Sequence, residues 1–232
     1  MIYVIGDVHG CYKTLLALIK KLPKNAKIVF VGDIVDRGND SNKVIEFIRD
    51  NNYDCVMGNH ELAMVETIED ILSPKVGLKE SYWRDRYDGE PTLKSYGISD
   101  KQKDEKSIKK ILDDTKWLKT LPLYLEYPNI KDKNGRHLVV SHAPFGETWK
   151  YRDLKDSLKQ EDFKKRALTS RQKDPFDNKE IFNIFGHTPV ENIILKNHFA
   201  NIDTGCWYKD LGTLSAIEFP SKKVFIQKNI ED

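Results

Sequence analysis

No run of apolar residues in this 232-residue sequence approaches the roughly 20 needed to cross a bilayer. The opening residues MIYVIGDVHG also lack the basic start and long apolar core of a secretory leader. No membrane partner is expected, and a cytoplasmic location is. Cysteine is scarce: Cys11, Cys55 and Cys206 are odd in number and unrelated in spacing, which speaks against a disulfide framework and against a zinc-thiolate site. Reduced thiols follow. An excess of one charge is missing too, since 38 Lys+Arg against 36 Asp+Glu leaves +2, so nucleic acid is not an expected partner. Any anion must be bound by a local site. Linkers, low-complexity tracts and repeats of solenoid period are also lacking. What remains is an ordinary globular composition, 39% hydrophobic and 32% charged, which one domain accommodates as a monomer.

What is present begins as βαβαβ. IYVIG (2–6), KIVFVG (27–32) and DCVMG (54–58) are short apolar runs suited to strands buried on both faces. Between the first two, Leu15, Leu16, Leu18, Ile19 and Leu22 recur at helical spacing until Pro23. Ser41 is a candidate cap for a second helix carrying Val44, Ile45, Phe47 and Ile48, and a third helix is expected to begin near Glu61. Residues 73–122 break the alternation and are expected to form a helical insertion over the sheet edge. Strands return from Leu123, closely spaced, with 146–180 expected as short helices and loops rimming a site. These late strands predict a second, antiparallel or mixed sheet packed on the first. The fold class is α/β, with two sheets in one domain.

The polar residues sit where the apolar runs stop. The first run leads to Asp7 and His9, the second to Asp33, Asp36 and Arg37, and the third to Asn59 and His60; LVVS leads to His142 and NIFG to His187. In open α/β sheets ligands bind at the carboxyl ends of strands, so groups spread over 180 positions can converge. Alone, a Gly-Asp pair is an ordinary turn and a histidine after a strand an ordinary loop residue. Together, buried carboxylates and imidazoles without a cation would be costly to desolvate. Nitrogen and oxygen donors without thiolate suit Mn, Fe or Zn. Six such groups exceed the needs of one ion and suffice for two about 3.5 to 4 Å apart.

GDVHG (6–10), GDIVDRG (32–38), GNHE (58–61), the His142 of VVSHA and GHTP (186–189) resemble, in order and spacing, the signature set of calcineurin-type metallophosphoesterases. Within these the likeness is to the PPP serine/threonine phosphatases of bacteria and phage. The resemblance implies a two-sheet sandwich flanked by helices in four layers. It also implies two divalent ions, with manganese first and iron or zinc as alternatives. Asp7, His9 and Asp33 would hold one, and Asp33, Asn59, His142 and His187 the other. Asp36 would orient His60 as general acid, while Arg37, Asn59 and His60 would contact the phosphoryl group. Water activated by the two metals would attack phosphorus without a phosphoenzyme. LTSR (168–171) departs from the family's Leu-Trp-Ser-Arg and makes Arg171 the candidate second phosphate-binding arginine, with Arg152 and Arg166 as alternatives.

The expected function is therefore a phosphomonoesterase acting on phosphoserine or phosphothreonine of a phosphoprotein or phosphopeptide. The alternative is a symmetrical diadenosine tetraphosphatase that cleaves dinucleoside polyphosphates, where Tyr82, Trp83, Tyr87 or Tyr96 could stack on adenine if they are not core packing. A third reading, a non-catalytic scaffold, fits poorly with a complete set of polar residues. IDTGC (202–206) offers Asp203 as support for a metal-ligating histidine. Cys11, His137 and His198 are read as structural.

Overall fold

The computed structural model describes residues 1–72, 82–99, 101–172, 178–209 and 212–231. Residues 73–81 of the expected insertion and 173–177 of the expected rim lie outside these.

The first sheet has the order β10 (Val224–Lys228), β9 (Thr213–Phe219), β1 (Ile2–Ile5), β2 (Lys27–Phe30), β3 (Asp54–Cys55). β1, β2 and β3 are parallel, and β9 and β10 close the other side antiparallel. The second sheet has the order β4 (Tyr124–Lys131), β5 (His137–Ser141), β6 (Ile181–Phe185), β8 (Phe199–Asn201), β7 (Ile194–Leu195). Here β5, β6 and β8 are parallel and the edge strands antiparallel, so the sheet is mixed.

The central strands β1, β2, β5 and β6 are buried on both faces, which explains apolar runs with little polar alternation. Val4, Val29, Val31 and Val56 of the first sheet meet Val140, Phe182 and Ile184 of the second in one buried cluster. The opposite face of the first sheet packs Ile5, Ile28 and Phe30 against helices α1 (Tyr12–Ile19), α2 (Ser41–Asp50), α3 (Asn59–Leu72) and, further along the chain, α6 (Glu105–Leu118). Over the outer face of the second sheet, a 3-10 turn (Gly146–Tyr151) and α7 (Ser157–Thr169) lay Phe145, Trp149 and Phe163 on Val139 and Ile181. The result is a four-layer, single-domain α/β sandwich.

Two local expectations are revised. Ser41 does not cap α2: Asp40 is the N-cap residue and makes no side-chain cap bond, while Ser41 Oγ accepts instead from the Asp36 amide at 3.1 Å. The span 146–180 contributes a 13-residue helix with a buried apolar face, so most of it covers the sheet, not a site. The helices α4 (Tyr82–Tyr87) and α5 (Glu90–Ser95) lie between α3 and α6 in the chain. No helix among the described residues is long and apolar enough to cross a membrane.

Candidate metal centre

Every element that ends in a candidate residue does so at the same edge of the sandwich. β1, β2 and β3 run in one direction, so the turns after them bring Asp7, His9, Asp33, Asp36 and Arg37 beside Asn59 and His60 in the first turn of α3. His142 follows β5 and His187 follows β6. Asp33 is the hub. Ligand-capable atoms of His9, Asp33 and His60 lie within 4.8 Å of one another, as do those of Asp33, His142 and His187, and all five residues are buried.

Turning this sharply requires backbone conformations that side chains ordinarily avoid. His9, Asp33, Asp36, Arg37 and His187 have φ between 46° and 70°, a region costing about 1–3 kcal/mol for a residue with a side chain. Buried side chains hold them there. Glu61 accepts from the amides of Asp33 (2.8 Å), Ile34 (2.8 Å), Val35 (3.2 Å) and Gly58 (2.9 Å). Thr92 and Ser41 accept from the Asp36 amide, and Asp7 Oδ2 accepts from the His187 amide at 3.0 Å. Gly58 and Gly186 are obligatory for another reason: a Cβ would collide with Asp33 at the first and with Asp7 at the second.

The ring nitrogens are oriented by the same means. His9 Nδ1 faces the Val35 carbonyl at 2.9 Å and His142 Nδ1 the Val31 carbonyl at 3.0 Å. A carbonyl only accepts, so both Nδ1 atoms carry the proton and both Nε2 lone pairs point inward, the outer arrangement common to metal-binding imidazoles. Burial lowers the pKa of His9, His142 and His187, the last to about 3, so the rings are neutral and ready to ligate. For Asp33, burial acts to raise the pKa and the positive charge of any of the surrounding imidazoles that is protonated acts to lower it, with the net direction downward. Asp7 is pushed up by burial, Asp203 and Asp33.

This donor set fits divalent ions. His142 Nε2 meets Asn59 Oδ1 at 2.8 Å, lone pair to lone pair, and His187 Nδ1 at 3.0 Å. His187 Nε2 is buried without a hydrogen-bond partner. A cation resolves both contacts, and the two groups sharing Asp33 point to a dinuclear centre of divalent metal ions.

Asp36 lies outside the ligand groups and serves His60. One carboxylate oxygen accepts from His60 Nδ1 (2.8 Å) and Trp83 Nε1 (2.9 Å), and the other from Thr92 Oγ1 (2.8 Å). Burial alone would lower the His60 pKa; Asp33 and Asp36 reverse this and raise it. Tyr87 packs edge-on against the His60 ring at 4.9 Å. Arg37 directs its guanidinium at His9 Nε2 (2.9 Å) and His60 Nε2 (3.3 Å) while stacking over Trp207 at 4.8 Å.

The three arginine candidates separate. Arg152 bonds the Trp149 carbonyl and stacks on its ring, and Arg166 pairs with Asp162. Arg171 lines a cavity with Pro144 and Thr188, near in the chain to His142 and His187, and its positive charge acts to lower the pKa of both histidines. Asp203 bonds the Gly205 amide, with its pKa raised to about 6 chiefly by burial. Of the insertion aromatics, Trp83 and Tyr96 are buried in the core and Tyr82 is exposed.

Sequence reasoning gave no role to Glu61, Thr92 or Trp207, and it read Trp83 only as packing or stacking. Glu61 was visible in the quoted GNHE motif; nothing in spacing links Trp83, Thr92 or Trp207 to residues dozens of positions away.

A two-sheet sandwich with a histidine-rich centre gathered around Asp33 at its strand ends defines a metal-dependent phosphoesterase. The chain belongs to the calcineurin-like phosphoesterase family, whose model matches residues 1–217. A bis(5'-nucleosyl)-tetraphosphatase PrpE, asymmetrical, of Oceanobacillus iheyensis is 29% identical over 244 residues, covering 95% of this chain and 89% of the relative. The Bacillus subtilis protein of the same name is 28% identical, covering 94% and 90%. A symmetrical bis(5'-nucleosyl)-tetraphosphatase of Actinobacillus pleuropneumoniae is 28% identical over only 63% of this chain and 46% of its own length. Among solved structures, a candidate diadenosine tetraphosphatase superposes with a TM-score of 0.64 at 19% identity, covering 100% of this chain and 94% of the other. A protein-tyrosine phosphatase of a Shewanella species gives 0.52 at 20%, covering 94% and 75%. At such identities these two structures establish the fold alone.

The relatives overturn the expectation of a serine/threonine protein phosphatase. Metal-site motifs are common to enzymes that cleave phosphate esters and anhydrides, because both present the same phosphoryl group to the same ions; they could not separate the two.

Proposed function

We propose that this protein hydrolyses bis(5'-nucleosyl) tetraphosphates at a phosphoanhydride bond, asymmetrically, to a nucleoside monophosphate and a nucleoside triphosphate. The observation that carries the reading is that relatives matching nearly the whole chain bear the asymmetrical tetraphosphatase name, whereas the symmetrical relative matches 63% of it.

In this reading Asp7, His9 and Asp33 hold one divalent ion, and Asp33, Asn59, His142 and His187 the other. Nitrogen and oxygen donors without thiolate suit Mn, Fe or Zn, and the family resemblance puts manganese first. When bound, the pair of ions supplies positive charge to the phosphoryl oxygens and lowers the pKa of water at the site. Arg37, stacked on Trp207 and directed at His9 and His60, binds phosphoryl oxygens through its planar fork, and Arg171 is the second arginine in this reading. His60, fixed through Nδ1 by Asp36, presents Nε2 to the departing oxygen and donates its proton there. Residues 73–122 serve as the insertion whose Trp83 and Thr92 fix Asp36.

The test is product analysis of diadenosine tetraphosphate with manganese. Equal amounts of ATP and AMP are expected; two ADP would reassign the bond cleaved, and no nucleotide release would refute the reading. Asp33→Asn should lose bound metal, measured by elemental analysis, whereas His60→Asn should retain metal and lose roughly a hundredfold or more in kcat.

A further inference from the structure

The outer face of the second sheet is only partly covered. The 3-10 turn and α7 sit over Val139 and Ile181. Further along β6 and across to β8 no helix follows among the described residues. There Phe185 and Phe199 stack with centroids 5.5 Å apart and line a cavity of about 750 Å³ whose walls include Val190 and Ile194.

This cavity adjoins the metal centre. Thr188, on its wall, directly follows His187, and Pro144 stands two residues beyond His142. Arg171 lines it as well, and its charge reaches both histidines. The surface exposed to the cavity is mainly hydrocarbon, and polar side chains, Gln172, Asn197 and Asn201 among them, stand in its walls. One of the wall residues, Thr188, has its Oγ1 buried and without a hydrogen-bond partner among the described residues.

We propose that this cavity is a nucleoside subsite: it takes the base and ribose at one end of the polyphosphate, with Arg171 standing between it and the phosphate chain. The proposal rests on the tetraphosphatase reading. A base suits a cavity walled by the aliphatic side chains of Val190 and Ile194 and backed by the nearly buried rings of Phe185 and Phe199, and such a contact is worth about tenfold or more in affinity. The volume falls within the range of small-molecule sites, about 300–1,000 Å³. Lys196, also on the wall, adds positive charge for a ligand that carries phosphate.

The experiment compares calorimetric binding of AMP and of ribose 5-phosphate to the manganese-loaded protein. These ligands share the phosphate and the ribose and differ in the base. AMP should bind at least tenfold more tightly. Ile194→Trp and Val190→Trp, at half-buried wall positions, should each remove that difference, with thermal melting confirming the fold. Equal binding of the two ligands by the wild-type protein overturns the proposal, whatever the variants do. So does unchanged AMP affinity in both folded variants. Preferential AMP binding that the variants abolish, in a protein releasing no nucleotide from diadenosine tetraphosphate, upholds the subsite while removing the proposed substrate.

Discussion

At the scale of single residues the centre is a set of groups each held by a second. Asp36 illustrates this, because burial raises its pKa while its bonds to His60, Thr92 and Trp83 oppose that rise. Trp83→Phe keeps the ring and deletes one donor to a buried carboxylate, a bond of about 1.5–3 kcal/mol. Asp36 then becomes the stronger base. We expect kcat to fall roughly tenfold and the pH limb belonging to His60 to move to higher pH, read from rate profiles; an unchanged profile would show that Trp83 only fills space. Asp203 gives a second prediction. Its folded pKa of about 6 lies above the ordinary value of 3.8, so the folded state holds the extra proton and stability falls as pH rises through that window. Asp203→Asn keeps an oxygen for the Gly205 amide and removes the buried charge. Metal-free protein carrying it should be more stable at pH 8 by about 1–3 kcal/mol and not at pH 4, measured by urea unfolding.

At the scale of elements the decisive piece is the loop after β2 and its clamp at the start of α3. Asp33, Asp36 and Arg37 stay in left-handed conformations within a segment whose amides converge on Glu61, in the first turn of α3. Glu61→Gln puts an amide NH2 opposite N–H donors. We expect a loss of about 2 kcal/mol in urea unfolding, together with weaker metal binding because Asp33 loses its support. Most elements around this clamp were legible. Fully apolar runs identified β1, β2, β5 and β6, since strands buried on both faces need no polar alternation. Ser41 misled because a serine before a helical pattern looks the same whether it caps that helix or serves a neighbouring loop. The helix α7 was underestimated for a related reason: Phe163, Ala167 and Leu168 are its only buried residues, a faint period in a lysine-rich stretch.

At the scale of the whole molecule the centre ties the two sheets together. Asp7, His9, Asp33, Asn59 and His60 come with the first, and His142 and His187 with the second. Metal binding should therefore stabilise the sandwich as a unit. Chelation should lower the melting temperature and abolish turnover, with both restored by manganese. Behind the site, Phe182 of the second sheet packs on Phe219 of the first with centroids 5.4 Å apart. Phe219→Ala should cost about 3–5 kcal/mol in urea unfolding, through lost burial and the cavity left behind.

The sequence by itself determined the strand runs, the polar residues that follow them and the kind of ion they suit, because these depend on local pattern and donor chemistry. Tertiary structure decided what holds Asp36 and Asp33 in place and which side chains wall the cavity beside the centre. Those depend on contacts between segments far apart in the chain, and neither spacing nor composition encodes such distances.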